Sequence, residues 1–375
     1  MNISSKSALH HSTEHQLPKH QFPKKAWHLA IAVGAAYLVG SALTSNTHAA
    51  TKTMAKPNAQ MQAVLDELAK LNPKPLPTLT AVEARKQPSP ADAIKALLTK
   101  QGKSLEPEAV EKVENKTIAG AAGSIPIRIY TPKGDGPFPV ILYFHGGGWV
   151  IADLDTYDAS PRALANAANA IVVSSHYRQA PEHKFPAAHD DAHAAYKWVL
   201  ANAQDFNGDA KRVALVGESA GGNLAASVSV LAREHNMQMP VHQVLIYPIT
   251  DNETDTASYK ENVNAKPLDR AGMQWFFKQY LNTPADGEDR LISLLDEKNL
   301  KGLPPTTVIT AQIDPLRSEG SAYVQALKKA GVKTRYQNYD GVTHEFFGMG
   351  AVIDKAKDAQ QYAAKGLKDA FSSSN

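Results

Sequence analysis

The feature that most constrains this chain is a serine between two glycines, in the run G-E-S-A-G at residues 217–221. The glycines two positions before and two positions after Ser219 let the backbone turn sharply, which lifts the serine oxygen clear of its surroundings. The apolar residues 213–216 predict a strand before this turn, and residues 221–233 predict a helix after it. A strand, a tight turn and a helix in this order present a serine for nucleophilic chemistry.

A second glycine-rich run, H-G-G-G-W at residues 145–149, supplies backbone N–H groups with little side-chain cover. Such groups can point at a negatively charged oxygen and stabilise it. We expect these donors to come from Gly147 and Gly148, with Gly146 allowing the chain to turn. The N–H of Ala220, directly behind the serine, is the expected third donor. The two runs together predict an oxyanion hole beside a nucleophile.

A serine nucleophile needs a neighbouring base, and the base needs a carboxylate that orients it. Three histidines follow Ser219 in the chain. His235 lies in a polar stretch, and His242 stands before a strand-like run. His344 lies in a turn directly after the strand-like residues 335–339, where such a base belongs. We therefore predict that His344 is the base.

Two aspartates are candidates to orient this histidine. Asp314 follows the strand-like residues 308–310 and is fixed by the next residue, a proline. A carboxylate at the carboxyl end of a strand suits the orienting role. Asp340 is the alternative, but it precedes His344 by only four residues, which gives a poor approach to Nδ1. We therefore favour Asp314.

Strand-like and helix-like runs alternate along the body of the chain, residues 51–375. The predicted strands are residues 125–130, 140–144, 171–174, 213–216, 244–247, 307–310 and 335–339. The predicted helices are residues 61–71, 91–99, 159–168, 188–201, 221–233, 319–329 and 351–371. This alternation predicts an α/β fold with a mostly parallel central sheet and helices on both faces.

One segment, residues 251–300, has no strand-like run but contains the apolar, helix-like residues 273–281. We expect it to form a helical cap together with about residues 51–112 and to cover the serine. The alternative is that its aromatic residues only fill the core of the cap itself, and the sequence favours neither. If the cap shapes a pocket, three aromatic residues are candidates to line it: Trp149, Trp275 and Phe276.

The first 50 residues have the layout of a secretory signal. Lys24 and Lys25 precede an apolar run at residues 26–43, and small residues follow it. We predict an exported protein, periplasmic or secreted, with cleavage after Ala49 or Ala50. The apolar run approaches the length that spans a bilayer, so an inner-membrane anchor at residues 26–43 is the alternative. A cytoplasmic location is the third and least favoured hypothesis.

In these runs the chain resembles the hormone-sensitive-lipase-like branch of the α/β-hydrolases, which are bacterial carboxylesterases with a helical cap. The resemblance covers about residues 60–370 and includes Y-R-Q-A-P-E at residues 177–182 and F-P-A-A at residues 185–188. It also includes D-P-L at residues 314–316 and H-E-F at residues 344–346. The resemblance implies an α/β-hydrolase fold and a preference for short acyl chains.

For individual residues, the resemblance implies a triad of Ser219, Asp314 and His344. It also implies that His145 organises the glycine loop rather than acting as a base. The chain departs from the pattern at Gln179, where leucine is commoner, and at Ser318, where an acid is common. Both departures bear on local hydrogen bonding and leave the predicted chemistry unchanged.

Composition excludes several other classes of function. The chain has no cysteine, so it has no disulfides and no thiolate metal sites. Its formal net charge of +3 comes entirely from the first 50 residues, so the body has no basic excess to attract nucleic acid. No G-x-G-x-x-G run follows a strand, so a dinucleotide is not implied. His189 and His193 are a candidate metal pair, but the resemblance places them on a scaffold helix, and we expect no metal and no cofactor.

The sequence therefore predicts a serine hydrolase that cleaves short- to medium-chain acyl or aryl esters through an acyl-enzyme intermediate. The alternatives are an amidase or lactonase with the same residues, and a non-catalytic ligand-binding module. The predicted partner is a small-molecule ester. Membrane contact is expected only from an uncleaved N-terminal segment, and a homodimer is the other predicted association.

Overall fold

Eight strands form one sheet in the computed structural model, which describes residues 54–373. In chain order they are β1 (Lys112–Gly120), β2 (Gly123–Thr131), β3 (Phe138–Phe144), β4 (Ile171–Ser175), β5 (Gly208–Glu218), β6 (Gln243–Ile246), β7 (Thr306–Ile313) and β8 (Thr334–Thr343). Their order across the sheet is β1-β2-β4-β3-β5-β6-β7-β8. Strands β3 to β8 run parallel, whereas β2 pairs antiparallel with both β1 and β4. The predicted mostly parallel sheet is confirmed.

Strand β1 is the element of the sheet that the sequence does not predict. It reads K-V-E-N-K-T-I-A-G, and within it only Ile118 is buried. An edge strand that is open to water carries little of the apolar pattern by which strands are recognised. Its place is set by the hairpin with β2, in which Ile118 lies opposite Ile125.

Ten α-helices accompany the sheet in residues 54–373. They are α1 (Ala59–Lys70), α2 (Ala81–Ala84), α3 (Pro90–Lys100), α4 (Ala159–Ala168), α5 (Ala187–Asn202), α6 (Ala220–Glu234), α7 (Ala257–Glu261), α8 (Arg270–Tyr280), α9 (Arg317–Lys329) and α10 (Asp354–Ser373). The seven helices that were predicted are α1, α3, α4, α5, α6, α9 and α10, and their ends move by no more than three residues.

Helix α3 begins where its sequence predicts. Ser89 accepts a hydrogen bond from the N–H of Asp92, and the Asp92 carboxylate accepts one from the N–H of Ser89 at 2.9 Å. Pro90 occupies the first helical position, where its missing N–H costs nothing.

Between residues 54 and 373, each helix is too short or too polar to cross a bilayer. The predicted leader, residues 1–50, and the alternative anchor, residues 26–43, lie outside the described residues.

The sheet separates two hydrophobic clusters, one on each face. Along β3, Val140, Leu142 and Phe144 belong to one cluster, and Ile141 and Tyr143 belong to the other. Helices α5, α6 and α9 contribute to the first cluster, and α1, α3, α4 and α10 contribute to the second. A strand covered on both faces reads as a continuous apolar run, and every residue of β3 is buried.

Residues 251–300 contain the helices α7 and α8 and no strand, as predicted. This insertion contacts the segment that precedes β1, because the indole N–H of Trp275 donates a hydrogen bond to the carbonyl of Leu79 at 3.1 Å. It also contacts the end of β7, where the amide of Asn262 donates to the carbonyl of Asp314 at 3.2 Å. The two predicted cap segments therefore touch each other, and their role as a cap stays a prediction.

Arg85 joins the segment before β1 to two loops of the body. Its Nε donates to the carbonyl of Val150 at 2.8 Å, directly after the glycine-rich run. One terminal nitrogen donates to the carbonyl of Ala180 at 2.8 Å. Both terminal nitrogens also pair with the carboxylate of Glu182, at 2.9 and 2.7 Å. A planar guanidinium with five donors can satisfy all of these acceptors at once.

The first turn of α6 packs on the end of β3 with no side chain between the two backbones. A Cβ atom at Gly221 would lie 2.0 Å from the carbonyl oxygen of Phe144 and 2.5 Å from that of His145. A Cβ atom at Gly217 would lie 2.0 Å from the carbonyl oxygen of Gly221. Gly221 therefore permits the contact of α6 with the end of β3, and Gly217 permits the contact of the end of β5 with the first turn of α6.

Replacing Gly221 by alanine is expected to lower the free energy of unfolding by about 3 kcal/mol or more, because backbone atoms must move apart. Gly272→Ala is the matched control in another helix, since its Cβ atom would meet no atom closer than 3.4 Å. We expect this control to be neutral or to stabilise the protein by about 0.5–1 kcal/mol. Urea unfolding followed by circular dichroism compares the two variants, and equal effects would contradict the proposed close contact.

Candidate active site

Ser219 stands at the sharp turn between β5 and α6. Its backbone has φ 57° and ψ −119°, a strained conformation for a residue with a side chain. The N–H of Ser219 donates to the carbonyl of Ile246 at 2.8 Å, and the carbonyl of Ser219 accepts from the N–H of Asn223 at 3.1 Å. The strain is therefore held by bonds to β6 and α6. The serine side chain is thus presented at the carboxyl end of β5, as its sequence predicts.

Ser219, His344 and Asp314 form one hydrogen-bonded chain. The Nε2 atom of His344 lies 3.0 Å from Oγ of Ser219. The Nδ1 atom of the same ring lies 2.8 Å from Oδ2 of Asp314. His344 directly follows β8 and Asp314 directly follows β7, so the parallel strands bring all three residues to one edge of the sheet. The three residues singled out by sequence therefore meet in space.

The histidine is electrostatically prepared to accept a proton. Burial is the largest single effect and lowers the pKa of His344, but the charges of Asp314, Glu345 and Glu218 and the hydrogen bond to Asp314 together raise it above the ordinary value of 6.5. Asp314 is fixed in turn, because its Oδ1 accepts a hydrogen bond from the N–H of Leu316 at 2.9 Å. The side chain of Asp314 is fully buried. A fixed, dry carboxylate holds the ring with Nε2 toward the serine.

The candidates that the sequence analysis set aside lie elsewhere. Asp340 is exposed, and its carboxylate accepts a hydrogen bond from the side chain of Asn338 at 2.9 Å. His235 is exposed at the end of α6. His242 is buried, with Nε2 at 2.9 Å from Oγ1 of Thr307.

The glycine-rich loop after β3 turns through backbone conformations that favour glycine. Gly147 and Gly148 have φ angles of 92° and 57°. The carbonyl of Gly147 accepts hydrogen bonds from the N–H groups of Val150 and Ile151 at 3.0 and 2.9 Å, which closes the turn. The first turn of α6, with Ala220 at its start, packs on the residue that precedes this loop. The expected oxyanion donors are therefore in neighbouring segments.

His145 is held inside the loop as a neutral side chain. Burial lowers its pKa to about 3. Its Nδ1 lies 2.8 Å from the carbonyl oxygen of Gly146, and its Nε2 lies 3.1 Å from Nδ1 of His176. Its ring stacks on Tyr177 with the ring centres 4.5 Å apart. These contacts agree with a structural role for His145.

The three aromatic candidates for the pocket have different surroundings. Phe276 lies on the glycine loop, because a Cβ atom at Gly148 would be 2.2 Å from its ring. Trp149 is fully buried and stacks on Tyr280 with the ring centres 4.5 Å apart. Trp275 is also buried and meets Phe276 edge to face. Of the three, Phe276 touches the predicted oxyanion loop, and substrate binding by any of them stays a prediction.

Two departures from the resembled pattern have local partners. The amide of Gln179 donates to the carbonyls of Ile151 and Ala152, both at 2.8 Å, and so fixes the chain beyond the glycine loop. Ser318 exchanges two hydrogen bonds with Ser258 of the insertion, at 3.0 and 2.9 Å.

The candidate metal pair on α5 is occupied by other contacts. His189 is buried between the hydroxyl of Tyr280 at 2.8 Å and the amide oxygen of Asn223 at 3.0 Å. His193 lies 3.2 Å from the sulfur of Met237. His189 thus joins α5 to α6 and α8, and His193 joins α5 to the segment after α6.

Two glutamates beside the triad were not singled out by the sequence analysis. Glu218 precedes the serine and is buried, with Oε1 at 2.6 Å from the hydroxyl of Tyr143. Glu345 follows the histidine and accepts a hydrogen bond from the hydroxyl of Tyr157. The signal was present in the sequence, since each acid adjoins a residue chosen for the triad.

Several known proteins are similar to this chain. Residues 141–348 match a family model described as the alpha/beta hydrolase fold. The ethyl acetate hydrolase of Pseudomonas putida is 35% identical over 298 residues, which cover 78% of this chain and 92% of that protein. The carboxylesterase NlhH of Mycobacterium tuberculosis is 38% identical over 265 residues, which cover 69% and 83%.

Solved structures give the same result in three dimensions. A hyperthermophilic esterase from Pyrobaculum calidifontis superimposes with a TM-score of 0.76 at 35% identity, covering 84% of this chain and 99% of that one. A thermostable esterase from Pseudomonas putida superimposes with a TM-score of 0.76 at 33% identity, covering 84% and 98%.

From the hydrogen bonds between Ser219, His344 and Asp314 we predict how the rate at which a fluorophosphonate labels Ser219 depends on pH. The labelling rate should rise with pH and reach half its maximum above pH 6.5, because only neutral His344 accepts the serine proton and its pKa is raised. Asp314→Asn should slow labelling about 10⁴-fold and move the midpoint to lower pH.

The control is Asp340→Asn, which removes an exposed carboxylate and should leave both the rate and the midpoint unchanged. Mass spectrometry of the labelled peptide identifies the serine. An unchanged midpoint in Asp314→Asn would show that this carboxylate does not set the pKa of the base.

Proposed function

The chain belongs to the α/β-hydrolases, in their hormone-sensitive-lipase-like branch, and we propose that it hydrolyses carboxylic esters with Ser219 as the nucleophile. The observation that carries this proposal is the unbroken chain from Oγ of Ser219 through the His344 ring to Asp314, with separations of 3.0 and 2.8 Å. Relatives and structural neighbours that are named esterases support the same reaction class. The enzyme is a carboxylesterase of the serine type.

In the first half of the reaction, Oγ of Ser219 attacks the ester carbonyl carbon while Nε2 of His344 takes the hydroxyl proton. The carbonyl oxygen becomes an oxyanion, which the N–H groups of Gly147, Gly148 and Ala220 stabilise. Each such donor is worth about 10²–10³-fold in rate. The C–O bond of the ester then breaks, and the leaving alcohol takes the proton from the imidazolium. The acyl group stays on the serine oxygen.

In the second half, a water molecule replaces the alcohol. His344 takes a proton from this water as its oxygen attacks the acyl carbon, and the same oxyanion site stabilises the charge. The bond to the serine oxygen breaks, and Ser219 recovers its proton from the imidazolium. The free acid leaves, and the enzyme returns to its starting state. Asp314 keeps the ring in one tautomer throughout and stabilises its charged form.

We propose short- to medium-chain acyl or aryl esters as substrates. A relative that is named an ethyl acetate hydrolase supports small esters. The ring of Phe276 packs against Gly148, so we propose that this side chain limits the acyl group beside the expected oxyanion donors. Substrate specificity nevertheless depends on the site and not on the fold, so it requires measurement.

The test is hydrolysis of p-nitrophenyl esters from acetate to laurate by the full-length protein and by Ser219→Ala. We expect the shorter esters to react fastest and the variant to lose activity by several orders of magnitude, up to ~10⁶-fold. Ser229→Ala is the matched control and should keep the activity of the wild type, because Ser229 is buried on α6, the helix that follows Ser219, and bonds to Gln243 at 2.8 Å. Equal activity in wild type and Ser219→Ala would mean that another residue is the nucleophile. If the wild type hydrolyses none of the esters, the esterase function is excluded. Amides and lactones are then tested as substrates, and small molecules are tested as ligands.

Export and self-association are proposals that concern more than residues 54–373. We propose that the protein is exported and that its leader is cleaved, because Lys24-Lys25, an apolar run and small residues follow one another. N-terminal sequencing of the protein from its native host should give a chain that starts at Ala50 or Thr51. An intact Met1 would support the anchor at residues 26–43 instead. A homodimer stays a prediction.

A further inference from the structure

Two glutamates flank the triad, and the mechanism above uses neither of them. Glu218 precedes the nucleophile and Glu345 follows the base, so each is one peptide bond from a catalytic residue. A carboxylate in a largely dry site is costly unless it is well paired. The position of both acids beside the reacting atoms therefore calls for a physical explanation.

Glu345 approaches the atom of His344 that handles the proton. Its Oε1 lies 3.8 Å from Nε2, which is the same nitrogen that faces Oγ of Ser219 at 3.0 Å. The Glu345 side chain is 21% exposed, so water screens the pair only partly. Its backbone has φ 71°, which turns the side chain back beside the histidine. The separation is close enough for attraction and too long for a hydrogen bond.

Tyr157 fixes the position of this carboxylate. Its hydroxyl lies 2.7 and 2.6 Å from the two carboxylate oxygens of Glu345. The same hydroxyl packs beneath the oxyanion loop, because a Cβ atom at Gly146 would lie 2.3 Å from it. Tyr157 therefore fixes the distance of Glu345 from His344. It also connects the turn that carries His344 and Glu345 with the glycine-rich loop.

We propose that Glu345 is a positioning residue for His344, a second carboxylate that the Tyr157 hydroxyl holds where it favours the imidazolium without displacing Ser219 from Nε2. This proposal rests on the proposed function. During attack on the ester, the proton arrives at Nε2, on the side of the ring that Asp314 does not face. A negative charge near Nε2 stabilises that state. A direct hydrogen bond from Nε2 to the carboxylate would instead compete with the serine.

The other charged and titratable groups around the ring come from several parts of the chain. Tyr247, directly after β6, packs its ring at a tilt against His344 with the ring centres 4.5 Å apart, and its hydroxyl donates a hydrogen bond to Glu218. Tyr143, on β3, donates to the second oxygen of Glu218 at 2.6 Å. Burial and the charge of Glu345 raise the pKa of Glu218 to about 7. The charged and titratable groups that interact with the pair of His344 and Glu345 are therefore Asp314, Glu218, Tyr143, Tyr157, Tyr177 and Tyr247.

The first test is Glu345→Gln, which keeps the shape and removes the charge. Loss of a nearby negative charge lowers the pKa of His344. The acidic midpoint of kcat/KM should therefore move to lower pH by about half a unit to one unit, and kcat at pH 8 should fall about tenfold. Asp340→Asn is the control, since its exposed carboxylate also lies near the base in sequence, and it should shift neither quantity.

The second test is Tyr157→Phe, which keeps the ring and removes the hydroxyl. Without this donor, Glu345 is free to approach Nε2 and accept its proton. The acidic midpoint should then move to higher pH, which is the opposite direction from Glu345→Gln. The value of kcat should fall, because the carboxylate displaces the hydroxyl of Ser219 from Nε2. The double variant should behave like Glu345→Gln alone, because Tyr157 acts through the carboxylate.

A merely structural role would lower activity in both variants without moving either midpoint, and that result would overturn the proposal. Shifts in the same direction would overturn it as well. The ¹⁵N resonances of the His344 ring give its pKa directly in the full-length protein, without any substrate. This measurement separates the proposed role of Glu345 from the proposed esterase function. A protein inert toward esters would still show a lower pKa of His344 in Glu345→Gln if Glu345 faces Nε2. Circular dichroism identifies a variant that fails to fold. In that case Glu345→Asp, which keeps the charge on a shorter side chain, replaces it, and its acidic midpoint should lie between those of the wild type and Glu345→Gln.

Discussion

The site depends on one contact between backbones: the first turn of α6 lies directly on the end of β3. The absence of a side chain at Gly221 lets the helix reach the carbonyl oxygens of Phe144 and His145. This contact places the start of the helix, with Ser219 before it, next to the loop that carries the glycine-rich run. The nucleophile and the proposed oxyanion donors are thus neighbours because two chain segments touch, and no side chain has to bridge them.

The second requirement is dryness at the carboxyl edge of the sheet. Asp314, His344 and Ser219 are 0%, 3% and 4% exposed, so their mutual electrostatic effects are weakly screened by water. The same dryness makes additional charges costly, which explains why Glu218 and Glu345 are each bonded to tyrosine hydroxyls. Tyrosine is a suitable donor here, since its ring packs in the core while its hydroxyl serves the acid.

The triad could be predicted from sequence because each member stands at the end of a strand within its own local motif. The same holds for the parallel strands, whose continuous apolar runs mark them as buried on both faces. Strand β1 lacks such a run, because it is the edge strand of the sheet and most of its side chains are exposed to water. The contact of Tyr157 with Glu345 joins residues 188 positions apart in different motifs, and no local pattern announces it. Nor could sequence decide the surroundings of Trp149, because its stacking on Tyr280 depends on how the insertion folds back.

The guanidinium of Arg85 has a consequence for where this protein begins as a folding unit. A boundary drawn at the first strand would treat the residues before β1 as an appendage. Arg85 nevertheless supplies the hydrogen-bond donors for the carbonyls of Val150 and Ala180 and for the carboxylate of Glu182. A truncation that removed Arg85 would leave these acceptors without that partner, both after the glycine-rich run and at residues 180–182. The segment that carries Arg85 is therefore an integral part of the body, and a truncated form that keeps these contacts has to begin upstream of Arg85.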